Sequence, residues 1–237
     1  MLKHYLEKIY PNGEDEYCSL LKNDLENERR RFVITANPEI LMMSEKDDEL
    51  EKMLLDEKTS LVPDGISVVK AAKKLDIPVK ERITGVEIAE YLIKELNNLG
   101  KSLYLFGATN EVIETLAKKI PVEYPNIKLL GYSDGYIDDK DRIFEDIARL
   151  KPDVCLVAMG VPLQEKLIYR HLSSFDKGIF VGVGGSFDVL SGTKKRAPKF
   201  FIKCNLEWLY RIAKEPSRLK RFYNNNVKFV FKIKKEK

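Results

Sequence analysis

The chain has 237 residues, 44% of them apolar and 33% charged, enough to bury a full core in one large domain. Its formal charge of +4 hides an asymmetry: residues 193–237 hold 15 Lys/Arg and 3 Asp/Glu, a net of +12, while residues 1–192 carry a net of −8. No uninterrupted apolar stretch approaches the ~18–20 residues that span a bilayer, the start lacks the apolar region of a secretory signal, and three scattered cysteines with two histidines exclude a disulfide framework and a histidine-built metal site; the expectation is a cytoplasmic protein, or one held peripherally on the inner face of the plasma membrane.

In chain order, residues 14–30 read as an amphipathic helix with Leu20, Leu21 and Leu25 inward. Phe32-Val33-Ile34 is a short buried strand ending at Thr35-Ala36-Asn37-Pro38, where Asn37 suits a helix cap and Pro38 the first helical position. The helix that follows is expected to run to about Glu57. Leu61-Val62 is the next strand, closed by Pro63-Asp64-Gly65; a helix then covers Ile66 to Leu75, a loop carries Arg82, and Val86 to Leu99 is helical. Further strands are expected from Ser102 to Phe106, Ile127 to Leu130, Asp153 to Met159 and Ile179 to Val183, with helices between them and a last helical segment from Ser186. This alternation predicts an α/β fold: a Rossmann-like, mainly parallel sheet with flanking helices over residues 1–192. A basic, aromatic C-terminal helical appendage, residues 193–237, follows it.

The residues suited to chemistry fall just after strands: Thr35 and Asn37, Asp64, Gln164 and Glu165, and Gly184-Gly185. In an open parallel sheet these ends share one edge, and ligands bind along it. The run Gly182 to Phe187 leads from strand to helix and offers backbone N–H groups to a phosphate; a tight turn without a ligand fits the same residues. It matches the dinucleotide fingerprint in part, with Phe187 at the third glycine position and no acidic residue about 20 positions on. Asp64 follows a buried strand, where desolvation raises a carboxylate's pKa and suits it to act as a base; Pro-Asp-Gly also forms turns with no catalytic role. Asp139-Lys140-Asp141 reads as a helix cap in preference to a metal-holding pair. Arg82 can pair with an anion or face solvent. In the tail, Phe200, Phe201, Trp208, Tyr210, Phe222, Phe229 and Phe231 are interleaved with Lys and Arg, a pattern for an anionic membrane surface, for single-stranded nucleic acid, or for packing on the domain. Two other classes stay open, a nucleotide-binding oxidoreductase suggested by the glycine turn and a nucleic-acid or membrane-binding module suggested by the tail, though neither explains why Asp64 and Gln164 gather at one sheet edge; no nucleic acid is expected as a partner.

Taken in order, Thr35-x-Asn37, Pro63-Asp64-Gly65, Arg82-x-x-Gly85, Gly160-x-Pro162-x-Gln164-Glu165-Lys166, Gly182-Val-Gly-Gly-Ser-Phe-Asp188, Lys195-Arg196-Ala197-Pro198 and Leu206-Glu-Trp-Leu-Tyr-Arg211 with Glu215-Pro216 and Arg218 resemble the TagA/WecG/CpsF glycosyltransferases, glycosyltransferase family 26. The likeness covers about residues 30–221. It implies an inverting transferase that moves a sugar from a UDP-sugar donor to a polyprenyl-diphosphate-linked acceptor. In the best-known members the sugar is N-acetylmannosamine and the acceptor is undecaprenyl-diphosphate-linked N-acetylglucosamine, in teichoic-acid linkage-unit synthesis; relatives use a uronic acid or other sugars for surface polysaccharides. The resemblance implies Asp64 as the catalytic base, Thr35, Asn37, Arg82 and Gln164 around the sugars, and Gly184, Gly185 and Asp188 on the UDP side. It implies an appendage that meets the membrane and brings Arg211, Arg218 and Arg221 toward the diphosphate. No metal and no cofactor are expected, and a homo-oligomer is common in the family. Three departures bear on the donor sugar: Val86-Glu87 where members usually carry a small residue and Asp, Leu167 in place of a common Trp, and an extra acid, Asp134, in the loop 131–136.

Overall fold

Short apolar runs bounded by turn residues become six strands: β1 Arg30–Ala36, β2 Thr59–Pro63, β3 Ser102–Gly107, β4 Lys128–Ser133, β5 Val154–Ala158 and β6 Gly178–Gly182. They appear in a computed structural model that describes residues 2–235, with the side chains of Lys199, Arg218 and Arg221 outside the described residues. Every neighbouring pair is parallel, in the order β2-β1-β6-β5-β3-β4. Each residue of β3, β5 and β6 is buried, which is why these strands read as continuous apolar runs; helices cover both faces. Edge strand β4 instead alternates between exposed and half-buried residues.

The helices are α1 Leu2–Lys8, α2 Glu14–Glu26, α3 Pro38–Ser44, α4 Asp48–Leu55, α5 Ile66–Lys74, α6 Gly85–Leu99, α7 Asn110–Glu123, α8 Lys140–Leu150, α9 Leu163–His171, α10 Ser186–Ser191, α11 Lys199–Lys203, α12 Glu207–Lys214, α13 Arg218–Phe222 and α14 Lys228–Lys235. They form two apolar layers. One joins α1, α3, α4, α5, α8, α9 and α14 through residues such as Leu6, Ile40, Met53, Ala72, Phe144, Ile168 and Phe229. The other joins α2, α6, α7 and α10 through Leu21, Leu92, Ile113 and Phe187. The cationic appendage therefore ends inside the fold: Phe229 and Ile233 of α14 are buried, and Lys232 is paired with Glu45.

Two local differences from the sequence reading have clear causes. Residues 38–57 form two helices because Asp47 breaks the run and caps α4, its Oδ1 accepting from the N–H of Leu50 at 3.2 Å. Helix α1 is an addition to the expected elements, although Leu2, Tyr5, Leu6 and Ile9 recur on one helical face and all are buried. Asp139 does cap α8, accepting from the N–H of Arg142 at 3.0 Å, and Asp141 pairs with Arg170 and His171.

Candidate active site

The C-terminal ends of β1, β2, β5 and β6 open into one cleft of about 1500 Å³, whose far wall is the appendage. Thr35, Asn37, Asp64, Arg82, Gln164, Gly184, Gly185, Asp188 and Arg211 all line it. The sheet brings these residues together because β1 lies between β2 and β6, with β5 next in order. Arg218 and Arg221 belong to α13, and their side chains lie outside the described residues.

Each strand end presents its residue by a local device. Thr35 stands one residue before the end of β1, its hydroxyl 3.5 Å from the carbonyl of Gly182 on β6. Asn37 caps α3, its Oδ1 accepting from Glu39 N–H at 2.9 Å and Ile40 N–H at 3.0 Å; that leaves its amide nitrogen for the cleft. Asp64 follows β2, and its own N–H donates to Ala36 O at 3.0 Å, so the turn carrying the carboxylate is tied to the neighbouring strand. The next residue, Gly65, has φ +106°, a conformation that bends the chain into α5 and disfavours any side chain. Along α5, Ser67, Lys70 and Lys74 continue the cleft wall.

Gln164 has a different role from a free sugar ligand. It is 1% exposed, and its Oε1 accepts from the N–H groups of Met159, Gly160 and Gly184 at 3.2, 3.1 and 3.0 Å. Its Nε2 donates to Glu165 Oε1 at 2.6 Å. One side chain thus ties together the turns after β5 and β6. The N–H of Gly184 is consequently engaged by Gln164, and the phosphate cradle expected at the glycine turn is smaller than its sequence suggests. Gly182 makes room for this arrangement: a Cβ there would stand 2.6 Å from Gln164 Nε2. Burial pushes the Glu165 carboxyl up to about 7, against the lowering effect of the Gln164 hydrogen bond, so a large share of it is protonated near neutrality, buried behind Gln164.

The electrostatics centre on Asp64. Burial pushes its pKa from 3.8 up to about 6, opposed by the nearby guanidinium groups of Arg82 and Arg211 and assisted by Glu207 and Glu87. Arg82 lies 4.0 Å from both Glu87 and Glu207. Glu87, one of the departures in the family motifs, caps α6 in a reciprocal pair with Thr84 and accepts from Arg196 at 2.9 Å. Burial would raise its pKa, but the Thr84 hydrogen bond and the two arginines bring it below the usual value. The basic run beside the glycine turn is largely engaged: Arg196 with Glu87 and Glu90, and Lys194 with Asp188 and Glu215 at 3.6 and 3.4 Å. Lys195 lines the cleft as an exposed cation.

On the appendage, Trp208 stacks on Phe222 with ring centroids 4.5 Å apart, joining α12 to α13. Phe200, Leu209, Leu219, Tyr223 and Phe231 are exposed. Among the described residues, no helix is long and apolar enough to cross a membrane and no cluster of three His, Cys, Asp or Glu could hold a metal ion. Glu207, Lys70 and Lys74 join the site without having stood out in the sequence. The lysines had a signal, since with Ser67 they recur on one face of α5 beside Asp64; Glu207 lies in the family motif four residues before Arg211, but its other partner, Arg82, is remote in sequence.

A family model described as "Glycosyl transferase WecG/TagA/CpsF family" matches residues 8–237. The chain is 38% identical over 218 residues to the N-acetylglucosaminyldiphosphoundecaprenol N-acetyl-beta-D-mannosaminyltransferase of Bacillus subtilis strain 168, covering 92% of this chain and 85% of that protein. It is 37% identical over 197 residues to the protein of the same name from Bacillus spizizenii, covering 83% and 76%. It is 38% identical over 207 residues to that from Staphylococcus aureus strain MW2, covering 87% and 80%.

Proposed function

The chain belongs to the WecG/TagA/CpsF family of glycosyl transferases, and from that premise we propose that it moves N-acetylmannosamine from UDP to N-acetylglucosamine carried on undecaprenyl diphosphate. The reaction inverts the anomeric centre and serves teichoic-acid linkage-unit or related surface-polysaccharide synthesis. The observation that carries the mechanism is a carboxylate raised to about 6 at the rim of a parallel sheet, in a cleft that also holds Arg82 and Arg211.

At pH 7 a group of that pKa is roughly nine-tenths ionised yet still basic, which suits a general base. Asp64 takes the proton of the acceptor hydroxyl as its oxygen forms a bond to the anomeric carbon. On the opposite face the bond from that carbon to UDP breaks, and UDP leaves with the electron pair. Diphosphates meet the cationic groups of the cleft, with Arg82 and Arg211 close to the base and Lys70, Lys74 and Lys195 farther along its wall. The exposed rings of the appendage, set among lysines, support docking on an anionic lipid surface from which the acceptor's headgroup is reached.

The direct test offers a panel of UDP-sugars, including UDP-N-acetylmannosamine, its uronic acid and UDP-N-acetylglucosamine, with a soluble N-acetylglucosamine-diphospholipid. UDP release and a disaccharide-lipid product with the first donor are expected. Preference for another donor would overturn the assignment of the sugar; no release with any would overturn the reaction.

A further inference from the structure

The segment Leu206 to Arg211 contains a carboxylate that the reaction above does not use. Glu207 is the first residue of α12 and only 7% exposed, unlike the solvent-facing residues around it. An acidic residue in a first helical turn is stabilised by the helix dipole without being buried, so its burial needs another cause. That cause is a pair of arginines from opposite walls of the cleft. Glu207 Oε2 lies 4.0 Å from Arg82 Nη1, on the loop before α6. Its Oε1 accepts a hydrogen bond from Arg211 Nη2, one turn along α12. One carboxylate thus joins the core to the appendage beside Asp64.

We infer that Glu207 is a positioning residue that bridges Arg82 and Arg211 and holds both guanidinium groups ready at the rim for the diphosphate of the lipid-linked acceptor. This rests on the reaction proposed above. The physical reason is pre-organisation. A free arginine has to give up much rotamer freedom before it can hold a phosphate; Arg211 is already hydrogen-bonded to Glu207, and Arg82 already sits between Glu207 and Glu87, before substrate arrives. The arrangement also sets the charge at the base. The charged groups facing Asp64 are Arg82 from the loop, Glu87 from α6, and Glu207 and Arg211 from α12. Removing the Glu207 charge leaves two guanidinium groups opposed by Glu87, which favours ionised Asp64.

The test uses the full chain with Glu207→Gln and Glu207→Asp, farnesyl diphosphate as a soluble probe measured by calorimetry, and the pH dependence of turnover. Glu207→Gln is expected to weaken farnesyl diphosphate binding about tenfold, within the range for residues coupled in one ion-pair network. It should also move the acid limb of kcat/KM to lower pH. Glu207→Asp keeps the charge but shortens the reach, so it should weaken binding and leave the limb in place; it also serves if the Gln variant does not fold. Unchanged or tighter binding in either variant would overturn the bridge, tighter binding meaning that Glu207 competes with the diphosphate. A wild-type protein that binds the probe but turns over no UDP-sugar would contradict the proposed reaction, and the bridge would then be judged on binding alone.

Discussion

Replacing Asp64 by Asn should make the protein more stable at neutral pH while removing its activity. The isolated carboxyl titrates at 3.8 and the folded one at about 6, so the folded state holds the proton more tightly than the unfolded chain. Stability contributed by the protonated form is complete below the unfolded value, declines as pH rises from 3.8 toward 6, and is gone above that. The gap between the two values corresponds to about 3 kcal/mol at most, and Asn, neutral at every pH, does not incur this cost. For a chain of this size that is a rise in Tm of roughly 6–12 °C at about pH 7.5. Thermal unfolding of both proteins from about pH 4 to about pH 7.5 should give curves that nearly coincide at the acid end and separate on the way up. A constant gap, or a less stable Asn variant at the upper end, would refute the claim that desolvation dominates at this carboxylate.

Other outcomes follow from the same structure. Glu165→Gln preserves shape and the neutral state, so the variant should gain stability over wild type as pH rises from 4.5 to about 7; parallel stability curves would contradict a protonated Glu165. Phe229→Ala should cost about 3–5 kcal/mol by chemical denaturation, because the ring is fully buried; a loss under about 1 kcal/mol would mean that α14 does not close the core. Phe200→Ser with Phe231→Ser should leave the Tm unchanged and reduce sedimentation with anionic vesicles severalfold; equal sedimentation would remove these exposed rings from membrane docking.

The strand order along the chain was legible because each inner strand is a short apolar run between turn residues, buried on both faces. So was the convergence of Thr35, Asn37, Asp64 and Gln164, since a parallel sheet places all its strand ends on one edge. What escaped was whatever depends on partners distant in the chain. Gln164 reads as a polar residue aimed at a ligand, yet its oxygen is occupied by the N–H of Gly184, twenty residues later. Nothing local in the sequence shows that Arg196 is engaged by Glu87 and Glu90 on α6, or that Lys194 is engaged by Asp188 and Glu215. The composition break near Gly192 is real as a charge boundary, but α14 returns to pack on α5, and its Phe229 and Ile233 join the buried apolar layer. Deleting everything after Gly192 would therefore remove part of the core along with the membrane-facing surface.

The most direct measurement is turnover by Asp64→Asn with UDP-N-acetylmannosamine and the lipid acceptor, alongside calorimetric binding of UDP. Loss of a positioned base predicts a fall in kcat of about 10²–10⁴ with UDP affinity within a few-fold of wild type. Turnover close to wild type in the Asn variant would contradict the assignment of Asp64 as the base.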